Sequence, residues 1–197
     1  MNNDVRTVVT YVRTDGTSSC EERVTGRVES LDDRGRPTFA AHLLWGTGEG
    51  GVVVGAADQP DKVVAPFFPG PGGHRFMLFT FLPEAGTENA GDSVVAGPAA
   101  TPGGPAGVED QMPGLLDVFD PDRPGMHVTD TIDYIYVVSG QLILELDDGE
   151  VPLCPGDCVV QRGTTHAWRN RSTEPAVVAA VLVGAQRSDG AGSTPAS

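Results

Sequence analysis

Between residues 126 and 184, short apolar runs are cut by turn signals at nearly even spacing, and this rhythm constrains the fold more than any other feature. The runs are 126–129, 132–138, 141–147, 151–154, 158–161, 166–170 and 176–183. The breaks between them include Ser139-Gly140, Asp148-Gly149, Pro155-Gly156-Asp157 and a Ser-Thr-Glu-Pro turn at 172–175. None of the runs has the length or period of a helix, and Asp-Gly is a hairpin signal. Strands this short and this regular predict an all-β, antiparallel sandwich or barrel. A few polar residues interrupt the apolar pattern. His127, Thr129 and Asp133 are all odd-numbered, so on one continuous strand they would share a face. His166 and Trp168 share parity on a later strand.

The first eighty residues carry a weaker version of the same signal. Strands are expected at 5–12, 38–45, 51–55 and 74–82, where β-branched and aromatic residues gather. Residues 84–114 differ in character, with seven Gly and four Pro among thirty-one positions. That composition predicts a long surface loop or lid. A short helix is expected at 113–119. The resulting division is 1–83 as N-terminal strands on or extending a barrel, 84–118 as loop or lid, 119–184 as barrel core, and 185–197 as a disordered tail.

The net charge of −14 argues against nucleic acid and anionic membrane as partners. Lys62 is the only lysine, which leaves one candidate for Schiff-base chemistry, in a turn-like context. No run of eighteen apolar residues predicts a membrane span, and the first residues carry no apolar signal segment, so a cytoplasmic protein is expected. Three cysteines, Cys20, Cys154 and Cys158, match no zinc spacing, and the latter two are read as small buried hydrophobes. The glycine-rich segments at 69–73 and 97–107 do not sit between a strand and a helix, so no nucleotide cofactor is expected.

The 127–170 stretch resembles the cupin superfamily, whose fold is a double-stranded β-helix or jelly-roll barrel. Gly140 matches the glycine that ends the first cupin motif, and Asp133 stands in its acidic position. Thr129 takes the place of the second histidine and His127 that of the first. The second motif resembles Gly156-Asp157 through Gly163, His166 and Asn170, with Gln161 where proline is usual. The whole run is similar to a branch of single-domain microbial cupins, several of them associated with polyketide and aromatic-compound pathways.

A typical cupin holds a divalent metal through three histidines and a glutamate. The resemblance therefore implies a reduced ligand set here, His127, Asp133 and His166, suited to Fe and open to Zn, Mn or Ni. The same three residues also suit a metal-free acid–base site, with Asp133 orienting a histidine that takes and returns a proton. The first expectation is thus a small-molecule enzyme catalysing dehydration, isomerisation or cyclisation of a carbonyl-rich, polyketide-like substrate. Two alternatives stand beside it: a metal-dependent oxygenase or decarboxylase, and a non-catalytic ligand-binding cupin. Thr129, Trp168, His74 and Arg75 are candidate substrate contacts. Tyr134 and Tyr136, of opposite parity to Asp133, are expected on the outer layer, and Asn170 as a turn cap. A homodimer is expected, because added edge strands can pair across a two-fold axis.

Overall fold

The structure, a computed structural model, describes residues 4–31, 36–50, 54, 65–84 and 108–188. Strands β1 (Val5–Val12), β2 (Ser18–Thr25), β3 (Val28–Leu31), β4 (Pro37–Thr47) and β5 (His74–Phe81) come first. A four-residue helix α1 (Val108–Gln111) and a 3-10 turn (Leu116–Val118) follow. The chain then runs through β6 (Thr131–Ser139), β7 (Leu142–Leu146), β8 (Gly149–Leu153), β9 (Cys158–Arg162), β10 (His166–Arg169) and β11 (Ala176–Gly184). All described pairings are antiparallel.

A six-stranded sheet, in the order β3-β4-β5-β11-β6-β9, packs against a three-stranded sheet, β10-β7-β8. Their inner faces share one core, which includes Met77, Ile135, Val137, Val178 and Ala180 from the larger sheet and Leu142, Leu144 and Leu153 from the smaller. This is the all-β cupin barrel implied by the resemblance. Strict alternation makes it possible. Along β6, Thr131, Asp133, Ile135 and Val137 are buried, while Tyr134 and Tyr136 stand exposed between the last three and Val138 after them.

Gly140, the residue that ends the first motif, shows why glycine is required there. Its φ is +78°, and a Cβ would stand 2.5 Å from the Pro175 carbonyl oxygen and 2.6 Å from the Ala176 Cα. Any side chain would both strain the backbone and push β11 away from the turn.

The N-terminal strands divide into two groups. β3, β4 and β5 extend the larger sheet, whereas β1 and β2 pair only with each other. The Arg23 guanidinium lies 5.1 Å over the Trp45 ring and links that hairpin to β4.

Several expectations from the sequence need correction. The expected strand at 126–129 does not form, so His127 and Thr129 do not share a strand with Asp133. His127 makes only isolated bridges, to Phe119 and His166, and β6 begins at Thr131. The expected helix at 113–119 is a single 3-10 turn, and β2 and β3 were not anticipated. Cys154 and Cys158 are exposed, as is Cys20, because the Pro155-Gly156-Asp157 turn projects both flanking residues to solvent. The 51–55 strand lies outside the described residues except for Val54, which is exposed and in no strand. Lys62, most of the 84–114 loop, the glycine-rich 97–107 segment and the tail from 189 also lie outside them. The described end of that loop belongs to the core, where Met112 and Leu115 are buried.

Candidate functional site

Between the two sheets lies a cavity of about 90 Å³. Its floor comes from the larger sheet: Phe39 on β4, Phe79 and Phe81 on β5, Val178, Ala180 and Leu182 on β11, and Asp133 and Ile135 on β6. Cross-strand register explains the grouping, since Phe39 pairs with Phe81, Phe79 with Val178, and Leu182 with Asp133. His166 and Trp168 face it from β10, and His127, Phe67, Phe68, Leu115 and Phe119 close it from the preceding loops. Six of the seven phenylalanines line this one space. Their rings touch in sequence, Phe39 to Phe79 at 5.4 Å, Phe39 to Phe81 at 5.6 Å and Phe81 to Trp168 at 6.0 Å between centroids.

Three of the predicted residues meet here. His127 and His166 are joined by reciprocal backbone hydrogen bonds of 2.9 and 3.0 Å, which bring their ring centroids within 4.2 Å. Each ring is held from behind. His127 Nδ1 donates to the Gly125 carbonyl at 3.1 Å, and His166 Nδ1 to the Thr164 carbonyl at 2.9 Å. A carbonyl only accepts, so these contacts assign the hydrogen to Nδ1 and leave a lone pair on each Nε2. Burial holds both imidazoles below the ordinary histidine range. For His166, burial and the neighbouring His127 bring the value to about 3. Both rings are neutral at pH 7.

Asp133 is the opposite case. Its Oδ1 is buried with no hydrogen-bond partner among the described residues. Burial raises its carboxyl to about 6, only partly offset by the Thr131 hydroxyl. Neither imidazole uses its hydrogen on Asp133, so backbone carbonyls rather than this carboxylate orient the rings.

Of the four predicted substrate contacts, three lie elsewhere and one lines the cavity. Thr129 is buried outside the cavity lining, with its hydroxyl paired to that of Thr131 at 2.8 Å. Arg75 is buried too, but its guanidinium donates to the carbonyls of Thr47, His74 and Pro66. His74 Nδ1 pairs with the Thr47 hydroxyl at 2.9 Å. Neither of these two lines the cavity. Trp168 does, with its indole edge-on to His166 at 5.8 Å. Sequence reasoning missed the phenylalanine lining. The shared parity of Phe79 and Phe81 on a recognised strand was a usable signal, whereas Phe67-Phe68 lies in a segment with no period to read.

The ligand set implied for a metal does not close. Among the described residues, no three His, Cys, Asp or Glu side chains stand close enough to share an ion. The two Nε2 lone pairs, each backed by an Nδ1–H to a carbonyl bond, are arranged as metal-binding histidines usually are. Asp133 does not join them as a third ligand.

Comparison with known proteins places the barrel. Residues 118–183 match the family model of the cupin domain (Cupin_2), and this part of the chain is a cupin domain. Over 55 residues the chain is 53% identical to phomopsin biosynthesis cluster protein C' of Diaporthe leptostromiformis, covering 25% of this chain and 29% of that protein. Over 51 residues it is 49% identical to oryzines biosynthesis cluster protein J of Aspergillus oryzae, covering 25% and 28%. The chain thus spans about three-tenths of the length of the curated relatives it matches. Among solved structures, the Cupin_2 domain of an XRE family transcriptional regulator from Enterobacter cloacae aligns at 15% identity and a TM-score of 0.33. That alignment covers 57% of this chain and 83% of that one. Among the described residues no helix is long and apolar enough to cross a membrane.

Proposed function

We propose that this protein is a small-molecule biosynthetic enzyme that moves protons on a largely apolar substrate bound in the phenylalanine-lined cavity, with Asp133 as the proton-transferring group. One observation carries this reading: Asp133 presents a buried, unpartnered carboxylate oxygen to an aromatic cavity. A carboxyl near 6 is well matched to accept and return a proton near neutral pH. Burial holds both imidazoles below the ordinary histidine range, and their Nε2 lone pairs suit them to hold a substrate O–H or N–H. In a dehydration, Asp133 would take the proton next to a carbonyl and return it to the departing hydroxyl, so that C–H and C–O bonds break, C=C forms and water leaves. Isomerisation and cyclisation use the same transfer without the loss of water. The likeness to proteins of biosynthesis clusters supports the biosynthetic setting.

The test is turnover of short-chain β-hydroxy ketones in D2O, followed by mass spectrometry for loss of water and for deuterium incorporation. Asp133→Asn should lower kcat by roughly a hundredfold or more. Wild-type rates in that variant would sink the proposal. The paired Nε2 lone pairs support a second reading, a metal-dependent oxygenase or decarboxylase. Near-stoichiometric iron, zinc, manganese or nickel in freshly purified protein, with activity lost on chelation and restored by the ion, would favour it. Unchanged activity after chelation favours the acid–base reading. A homodimer formed through added edge strands is part of the proposal, and sedimentation velocity reads it directly.

A further inference from the structure

The donors and acceptors of the cavity side chains are unequally distributed. The two imidazoles have spent their only hydrogens on the Gly125 and Thr164 carbonyls. The Thr38 hydroxyl donates to the Ser30 carbonyl at 3.3 Å. Among the described residues, no lysine or arginine lines the cavity. The two buried guanidiniums are engaged elsewhere, Arg75 on three backbone carbonyls and Arg169 on Glu145 and the Pro124 carbonyl. Of the lining side-chain donors, only the Trp168 indole N–H has no such commitment. Against it stand two Nε2 lone pairs and the Asp133 carboxylate, whose Oδ1 is buried and unpartnered although the residue as a whole is only 7% exposed. The polar side of the cavity is a set of acceptors waiting for donors.

Size limits what can supply them. At about 90 Å³ the space is smaller than the roughly 150 Å³ cavity known to hold a benzene ring, so it admits the end of a ligand and leaves the rest at the mouth. That end must be slim and must pass between phenylalanine faces.

We propose that the cavity takes a hydrogen-bond-donating head group, a hydroxyl or an amine on an apolar stem, and turns away heads that only accept hydrogen bonds or carry negative charge. A ketone or ester oxygen could accept only from the Trp168 indole N–H and would leave the three acceptor side chains unpaired. A carboxylate would add charge repulsion from Asp133 and find no cation among the described lining residues. Any carbonyls of the substrate therefore sit toward the mouth, and the group facing Asp133 is an O–H or N–H. This names the substrate class of the site described above and rests on that reading for its catalytic meaning, but the binding preference can be tested without turnover.

Four probes of similar size separate the outcomes: 1-butanol, butylammonium, 2-pentanone and pentanoate, each titrated into the full chain at pH 7.5 by calorimetry. Leaving buried acceptors unpaired makes a preference of roughly tenfold or more for the two donor heads the expected result. Tighter binding of butylammonium than of butanol identifies an amine substrate, and the reverse order an alcohol. In Asp133→Asn, whose amide can also donate, the gap between 1-butanol and 2-pentanone should shrink, with folding checked by circular dichroism. Equal affinities across the four probes, no saturable binding of either donor head, or a gap unchanged in Asp133→Asn would each overturn the proposal. Failure here with β-hydroxy ketone turnover intact removes only the substrate class. Loss of turnover with the donor preference intact removes only the acid–base function.

Discussion

Asn170 and Asp133 belong to the two halves of the same motif pattern and are almost equally buried, at 2% and 7% exposure, yet their surroundings are opposite. Asn170 makes every bond its amide allows. Its Nδ2 donates to the carbonyls of Phe81 and Glu174 at 2.9 and 2.8 Å, and its Oδ1 accepts from the Ser172 N–H and hydroxyl at 3.0 and 2.7 Å. Asp133 has an oxygen with no hydrogen-bond partner among the described residues. A buried polar group that is fully satisfied fixes the fold, here by tying β5 to the turn before β11. One left open costs stability and is kept for something the folded chain does not itself supply. Position in a motif does not distinguish the two roles, but hydrogen-bond satisfaction does.

The imidazoles fall between these extremes, satisfied at Nδ1 and open at Nε2, and they give the largest expected effect. His166 has a folded value of about 3 against 6.5 in the unfolded chain. Its contribution to stability is therefore fully present above pH 6.5 and is lost as pH falls toward 3. The loss should be about 3 kcal/mol at pH 4.5 and about 4 kcal/mol at pH 3, approaching about 5 kcal/mol only below that. Urea unfolding of wild type and His166→Gln across this range checks it. The variant should lose markedly less stability on acidification, and parallel curves would show that the ring is not buried as a neutral group.

Asn170→Ala comes next. It removes four hydrogen bonds and takes a partner from the Phe81 carbonyl and the Ser172 N–H, while the Glu174 carbonyl keeps the Ser172 hydroxyl, at an expected cost of about 4 kcal/mol. The cost should be nearly independent of pH, because none of these groups titrates. A much smaller loss would mean that water replaces the amide and that the turn is less dry than its burial indicates.

How much of this was legible in the sequence follows from the same contrast. The barrel could be read because its strands alternate strictly and its turns use glycine where only glycine fits, as at Gly140. His127, Asp133 and His166 could be read because the motif spacing fixes them near one another. Thr129 was placed on their face by parity, but parity holds only along an unbroken strand, and the strand pairing fails from Val128 to Asp130. His74 and Arg75 were read as candidate substrate contacts. The polar partners that draw them away, the Thr47 hydroxyl and the carbonyls of Thr47 and Pro66, are distant in sequence and leave no local trace. The same holds for the phenylalanines. Each is an ordinary core residue in its own strand or loop, and only the register of β4, β5 and β11 gathers them around one space.

The smallest stability effect has the opposite sign and is the sharpest test of the contrast. The Asp133 carboxyl is raised by burial from 3.8 in the unfolded chain to about 6. It imposes no cost below pH 3.8, where it is protonated in both states, and its full cost above pH 6, where the buried carboxylate must be ionised. The difference corresponds to about 3 kcal/mol. Asp133→Asn removes that charge at nearly constant shape, so it should stabilise the protein by up to about 3 kcal/mol at pH 7.5, with the gain fading toward pH 4. Denaturation of the two proteins at both pH values measures it. A variant that is less stable than wild type at pH 7.5 would mean that Asp133 has a partner and is satisfied like Asn170. A variant that is more stable and also inactive would show that the chain carries this carboxylate at a cost, for the sake of its site.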